Sequence, residues 1–220
     1  MQAIKVYNLR EVDELVFLDI TATSDGRSPD FETVDGLADE CFMPLAVGGG
    51  IRSVDDVRQL LQVGADKVVI NTAAVETPEL IQQVSRRFGA QCVVVSIDAR
   101  RHPDGRYEVF THSGTKATGL DPVALARQCE ALGAGEILIT SIENDGTMMG
   151  YDVALTRAVN EAVNIPVIAS GGAGNYEHMA QVLREAKVSA VSAASIFHFT
   201  QQTPLEAKRY LQELGFSVRV

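Results

Sequence analysis

The chain has 220 residues and a mass of 23.7 kDa, which suits one domain, residues 1–220, whose core is large enough to need neither disulfides nor a structural metal. Nineteen Lys and Arg against 29 Asp and Glu leave a net charge of −10, which opposes the counterion release that drives binding to nucleic acid or anionic membranes. With 46% hydrophobic and 22% charged residues, the composition excludes disorder and low complexity as the dominant state.

Residues 1–10 read as a helix, and the apolar run at 14–20 behind them as a buried strand. Further runs bounded by Gly, Asp or Ser follow at 44–47, 67–70, 92–97, 136–140, 165–169 and 188–191. Continuous Val, Ile and Leu of this kind mark parallel strands covered on both faces. Helical spacing fills the intervals: 53–63 puts Val54, Val57, Leu60 and Leu61 on one side, and 78–88 does the same with Leu80, Ile81, Val84 and Phe88. Ser53, followed by Asp55 and Asp56, and Thr77-Pro78-Glu79, with Pro at the first helical position, read as helix starts. Residues 100–111, with Pro103-Asp104-Gly105 at their middle, read as a β-hairpin inserted in a βα loop, either a lid or decoration. Another helix falls near 121–132. Seven strands with about eight helices predict an α/β fold, a (β/α) barrel of the TIM type; an open doubly wound sheet is the alternative.

An internal repeat supports the barrel. Pro44-Leu-Ala-Val-Gly-Gly-Gly and Pro166-Val-Ile-Ala-Ser-Gly-Gly stand 122 residues apart, and the same offset lays Glu14-Leu-Val-Phe-Leu-Asp on Glu136-Ile-Leu-Ile-Thr-Ser. Two half-barrel repeats of about four βα units each make one (β/α)8 barrel. The strand at 92–97 has no partner in the first half, so the expectation is a barrel without its first strand, arising from a start internal to a longer product or from a seven-stranded variant with two open edges.

Candidate chemistry gathers where strands end. Gly48-Gly49-Gly50 and Gly171-Gly172-Ala173-Gly174 each follow a strand and precede a helix, so their backbone N–H groups could hold a phosphate, although tight turns also need Gly for steric reasons. Asn71-Thr72 and Ala194-Ser195 end the next strands, and together the two clusters suit a ligand with phosphate at both ends. Asp19, Asp98 and Asp145 are the candidates for proton transfer; Asp98, closing Val93-Val-Val-Ser-Ile-Asp, projects into the barrel mouth, and Asp145-Gly146-Thr147 is also ordinary turn chemistry. Glu14, Lys67 and Glu136 each begin a strand and would meet at the opposite face, as a salt-bridge ring or as a polar gate to the barrel axis.

Other chemistries find little support. The four histidines, His102, His112, His178 and His198, have no paired spacing and give no metal site. No GxSxG or triad arrangement accompanies Ser113 or Ser195. Cys41, Cys92 and Cys129 lie far apart without CxxC spacing, which suits a reducing cytoplasm, and no cofactor is implied. No apolar run reaches the roughly 18 residues of a membrane span, and Met1-Gln2-Ala3-Ile4-Lys5 lacks the pattern of a signal peptide, so a soluble cytoplasmic chain is expected.

Taken together, Glu14-Leu-Val-Phe-Leu-Asp-Ile-Thr, Val47-Gly-Gly-Gly-Ile-Arg, Gly64-Ala-Asp-Lys-Val-Val-Ile-Asn-Thr-Ala-Ala, Gly133-Ala-Gly-Glu-Ile-Leu, Asp145-Gly-Thr, Ala169-Ser-Gly-Gly-Ala-Gly and Ala194-Ser-Ile-Phe-His-Phe resemble the cyclase subunit of imidazole glycerol phosphate synthase, the HisF family, over essentially the whole chain. The related isomerase of the same pathway shares the glycines but fits the other strings less well. The resemblance implies a lyase of histidine biosynthesis that takes ammonia from a glutaminase (HisH-type) subunit docked at its N-terminal face. The ammonia is joined to a bisphosphorylated ribulosyl aminoimidazole carboxamide nucleotide, releasing imidazole glycerol phosphate and aminoimidazole carboxamide ribotide. It also implies that Asp98 is one of two catalytic aspartates. Gly49, Gly50, Asn71 and Thr72 then form one phosphate site with Asp19 nearby, and Gly146, Gly172, Ala194 and Ser195 the other. Glu14, Lys67 and Glu136 become an ammonia gate, and Asp66 a contact to the glutaminase.

The second catalytic aspartate and a gate arginine of that family lie on the strand this sequence does not display. Ser141-Ile-Glu-Asn-Asp-Gly, Phe199-Thr-Gln-Gln-Thr-Pro and Thr111-His-Ser-Gly resemble a paralogous branch that supplies ammonia to amidate a nucleotide sugar in polysaccharide biosynthesis. A non-catalytic subunit that binds a phosphorylated ligand and stimulates a glutaminase is the third reading.

Overall fold

The computed structural model describes residues 2–219. The elements run α1 (Gln2–Leu9), β1 (Leu15–Leu18), α2 (Phe31–Ala38), β2 (Leu45–Gly48), α3 (Val54–Gln62), β3 (Lys67–Ile70), α4 (Thr72–Glu76) and α5 (Glu79–Phe88). A 3-10 turn at Ala90–Cys92 leads into β4 (Val93–Arg101), β5 (Tyr107–Thr111), β6 (Lys116–Ala117), α6 (Pro122–Leu132), β7 (Glu136–Ser141) and α7 (Val153–Asn160). The chain continues through β8 (Val167–Ser170), α8 (Tyr176–Ala186), β9 (Ala190–Val191), α9 (Ser195–Phe199) and α10 (Pro204–Glu213).

Seven strands form one parallel sheet in the order β1-β2-β3-β4-β7-β8-β9, which is their order in the chain. A doubly wound sheet reverses its strand order at a switch point, and none occurs here, so the barrel-type reading holds over the alternative. Residues of both end strands, Phe17 and Val191, line one cavity with Val69, Leu138 and Ile168 from the strands between, so the sheet curls round on itself. Among the described residues no ladder joins β1 to β9. Strand β4 continues past the predicted end at 97 because its last residues pair antiparallel with β5, Asp98 opposite Phe110 and Arg101 opposite Tyr107; this is the expected hairpin.

Alternation along the strands separates two apolar layers. Val47, Val68, Val95, Ile97, Ile137, Ile139 and Val167 pack outward against the helices. Ala46, Val69, Val94 and Leu138, with Val16 and Ile168 against them, form the inner layer. The first strand loses three residues of the run 14–20 and shortens to Leu15–Leu18, and the last loses two and shortens from 188–191 to Ala190–Val191. Both are end strands, with a partner on one side only.

The repeat is carried by caps as well as strands. Asp30 accepts from the Thr33 amide at the start of α2, and Asp152, 122 residues on, accepts from the Leu155 amide at the start of α7. Ser53 caps α3 with a reciprocal bond from Asp56, while Asn175 caps α8. Pro78 differs slightly from expectation: it stands at the cap of α5 rather than inside it.

Candidate active site at the carboxyl ends of the strands

A cavity of about 1370 Å³ opens at the carboxyl ends of the strands, lined there by Asp19, Gly49, Gly50, Asn71, Thr72 and Asp98 from the first four parallel strands, and by Asp145, Gly146, Gly171, Gly172, Ala194 and Ser195 from the last three. All twelve predicted mouth residues therefore face one space. It extends down through Val16, Val69 and Leu138 to Glu14.

Asp98 reaches the mouth because β4 alternates: Val95 and Ile97 are buried outward, which turns Ser96 and Asp98 inward. The Ser96 hydroxyl donates to Asp98 Oδ1 at 3.1 Å. Burial pushes the Asp98 carboxyl up from 3.8 to about 6, with the charge of Asp145 adding to the rise and hydrogen bonds from Ser96 and Asn71 opposing it. Such a group gains and loses a proton close to neutral pH.

Asp19 is placed differently. Its carboxylate accepts from the Thr21 amide and hydroxyl and the Ala22 amide, each at 3.0 Å, and from Arg27 Nη1 at 3.1 Å. Burial would raise it, but these bonds outweigh burial and hold it below the usual carboxylate range. Asp19 thus organises the loop after β1 as an anion. Arg27, which sequence reasoning passed over, also donates to Thr21 Oγ1 at 2.6 Å, and nothing in a loop sequence marks such a partner.

The glycine turns have a steric reason independent of any ligand. Gly49 has φ +107°, and a Cβ there would lie 2.3 Å from the Asp19 carbonyl; Gly172 has φ +108°, and its Cβ would lie 2.1 Å from the Gly150 carbonyl. Gly150 donates to the Gly172 carbonyl at 2.7 Å, so the two backbones are pressed together. Among the described residues the Gly50 and Gly172 amides donate to no protein acceptor. Gly146, by contrast, has open space around it.

Asn71 and Thr72 are partly committed to protein partners: Asn71 Nδ2 donates to the Ser96 carbonyl at 3.1 Å, and Thr72 Oγ1 accepts from the His112 amide at 3.1 Å. That second bond comes from the turn between β5 and β6, where His112 and Ser113 both have positive φ and the Ser113 hydroxyl donates to the Ile20 carbonyl. The turn therefore ties the loop after β1 to the start of α4 across the mouth. Ala194 is exposed, and Ser195 opens the short α9.

At the amino ends of the strands, Lys67 Nζ bonds Glu14 Oε2 at 2.8 Å and Glu136 Oε1 at 2.7 Å. Burial pulls the Lys67 ammonium down, but hydrogen bonds and charges from Glu136 and Glu14 outweigh it and leave it raised. The three residues meet as expected, bound in one cluster, of which Glu14 alone lines the cavity. Asp66 is exposed beside them and accepts from the Leu45 amide at 2.8 Å. The hairpin is fixed by Tyr107, whose hydroxyl donates to both carboxylate oxygens of Asp152 at 3.0 and 2.9 Å.

Among the described residues no group of three or more His, Cys, Asp or Glu is placed to hold a metal, and no helix is long and apolar enough to cross a membrane. Compared with known families, residues 1–203 match the family described as histidine biosynthesis protein.

Proposed function

Because the chain belongs to the histidine biosynthesis protein family, which includes the cyclase subunit of imidazole glycerol phosphate synthase and consists generally of enzymes of that pathway, we propose that it is an ammonia-using lyase of the cyclase type. The observation that carries this reading is the arrangement of two related glycine turns around a single carboxyl group, Asp98, that titrates close to neutrality.

The Gly49-Gly50 turn leads into α3 and the Gly171-Gly172 turn into α8, so a substrate with phosphate at each end would take the free amides of one turn at each terminus, beside Asn71 and Thr72 on one side and Gly146, Ala194 and Ser195 on the other. That pose lays its middle across Asp98. Closing the imidazole ring with ammonia takes protons from the ring's nitrogens and from its CH2 carbon, and returns them to the oxygen that leaves as water and to the ribotide nitrogen that leaves as its C–N bond breaks. A carboxyl near pKa 6 serves both directions, and the Ser96 hydroxyl holds it in place. Ammonia would come from a glutaminase subunit on the amino-terminal face, past Glu14, Lys67 and Glu136 and beside Asp66.

The test is consumption of the ribulosyl aminoimidazole carboxamide nucleotide by the purified chain with saturating ammonium. Turnover that Asp98→Asn abolishes, with phosphate-ligand affinity retained, is the expected result. Ligand binding without turnover in the unaltered chain would refute the cyclase reading and favour a subunit that only stimulates a glutaminase. Ammonia transfer to a nucleotide sugar instead would favour the polysaccharide paralog.

A further inference from the structure

The loops after β1 and β7 are copies of one another in the repeat. Asp30 and Asp152 cap the helices that follow them, 122 residues apart, and the same offset lays Ile20 on Ile142 and Gly26 on Met148. Their backbones match as well: Gly26 has φ +69° and Met148 has φ +58°. Left-handed backbone suits glycine, because a Cβ crowds the following carbonyl there, so methionine carries a strain at this position that glycine does not. The first loop has no side chain at the strained position, and the second keeps a long apolar one.

Met148 is held in that conformation from behind. Gly174, which ends the second glycine turn, lies so close that a Cβ on it would run into the Met148 carbonyl, whereas a Cβ on Gly26 would meet nothing within 4 Å. Met148 therefore stands fixed beside the turn. Its neighbour Met149 is 81% exposed, but Met148 is half-buried and lines the cavity together with Ile142. Ile142 in turn lies beside Gly114 of the hairpin, where a Cβ would stand 3.5 Å from Ile142 Cδ1. From the first loop the cavity takes Ile20, the counterpart of Ile142, and nothing from Gly26. The two halves of the mouth thus match in their glycine turns and differ in one apolar side chain, which only the second half adds. Backbone strain kept at a cavity wall points to a use for the side chain there.

We propose that Met148 is a specificity-determining residue: with Ile142 it forms a wall against which a phosphorylated ligand held at the Gly171-Gly172 turn lays a flat heteroaromatic ring. A thioether is polarisable and packs favourably on such a ring, and Ile142 extends the apolar surface beside it. This rests on the reading of the Gly171-Gly172 turn as a phosphate site and not on the ammonia chemistry.

The test is calorimetric titration of the full chain with two probes, aminoimidazole carboxamide ribotide and ribose 5-phosphate, which share a phosphorylated ribose and differ in the ring. The unaltered chain should bind the first more tightly, on the order of tenfold. Met148→Gly should lose most of that preference and leave ribose 5-phosphate affinity unchanged, while its Tm holds or rises because glycine relieves the left-handed backbone. Met148→Asn, a polar residue that tolerates the same backbone, should lose the preference as well, and Met148→Leu should keep it within about twofold. An unchanged preference in both Met148→Gly and Met148→Asn would overturn the proposal. So would equal weakening of both probes, which would mean that the side chain only shapes the loop. Binding of neither probe to the unaltered chain would overturn the phosphate site itself and the proposal with it.

Discussion

Replacing Asp98 by Asn should stabilise the protein at neutral pH while removing turnover. The carboxyl has an ordinary value of 3.8 and is pushed up to about 6 in the folded chain, so the folded state binds that proton more tightly than the unfolded state. Below about pH 4 the group is protonated in both states and costs nothing; the penalty grows as pH rises and is complete above about pH 6. At about 1.4 kcal/mol for each pH unit between the two values, it reaches about 3 kcal/mol at pH 7. Asparagine keeps the size and the oxygen that accepts from Ser96 but carries no charge, so it escapes this cost. Urea denaturation of both proteins at pH 7 and pH 4 measures it. The variant should gain up to about 3 kcal/mol at pH 7 and little at pH 4. An equal difference at both pH values, or a less stable variant at pH 7, would refute a buried, strained carboxylate as the origin of the raised value.

Gly172→Ala should cost about 2–4 kcal/mol in the same assay, since the new Cβ meets the Gly150 carbonyl and the backbone sits at φ +108°. Gly146→Ala, with φ +75° and open space, should cost about 1 kcal/mol, and similar losses in the two would sink the steric account of the glycine turn. Lys67→Met leaves Glu14 and Glu136 facing each other without their shared cation and should cost about 1–3 kcal/mol at pH 7. That loss should shrink in high salt, which screens the two carboxylates from each other, and a salt-independent loss would point to packing alone.

Much of this was legible because it repeats or alternates. The strands at 67–70 and 136–140 show in the sequence as apolar runs, and β3 keeps the expected limits while β7 extends by one residue. Asp98 could be placed in the mouth from alternation alone. The end strands came out shorter than their apolar runs because a run reports burial, and pairing decides where a strand ends. The contacts that shape the mouth were not legible. Arg27 on Asp19, Tyr107 on Asp152, and the His112-Ser113 turn on Thr72 and Ile20 join loops far apart in the chain, where no period links one residue to the other. In the sequence the glycines read as phosphate cradles or as turn makers. Their geometry adds a third reason, the close approach of a neighbouring carbonyl.

Strand order that follows chain order also bears on how the protein folds. Every parallel ladder joins strands that are successive along the main sheet, so each closes over a single crossover connection, and none needs the first strand to find the last. Folding can then advance strand by strand from several starting points. The contacts that span nearly the whole chain are side-chain bonds at the surface, such as Tyr7 with His198 and Lys208 with Asp13. They cost the most chain entropy to close and return little energy. The edges they bridge should be the last part of the molecule to assemble and the first to open, while β4 and its neighbours hold together longest.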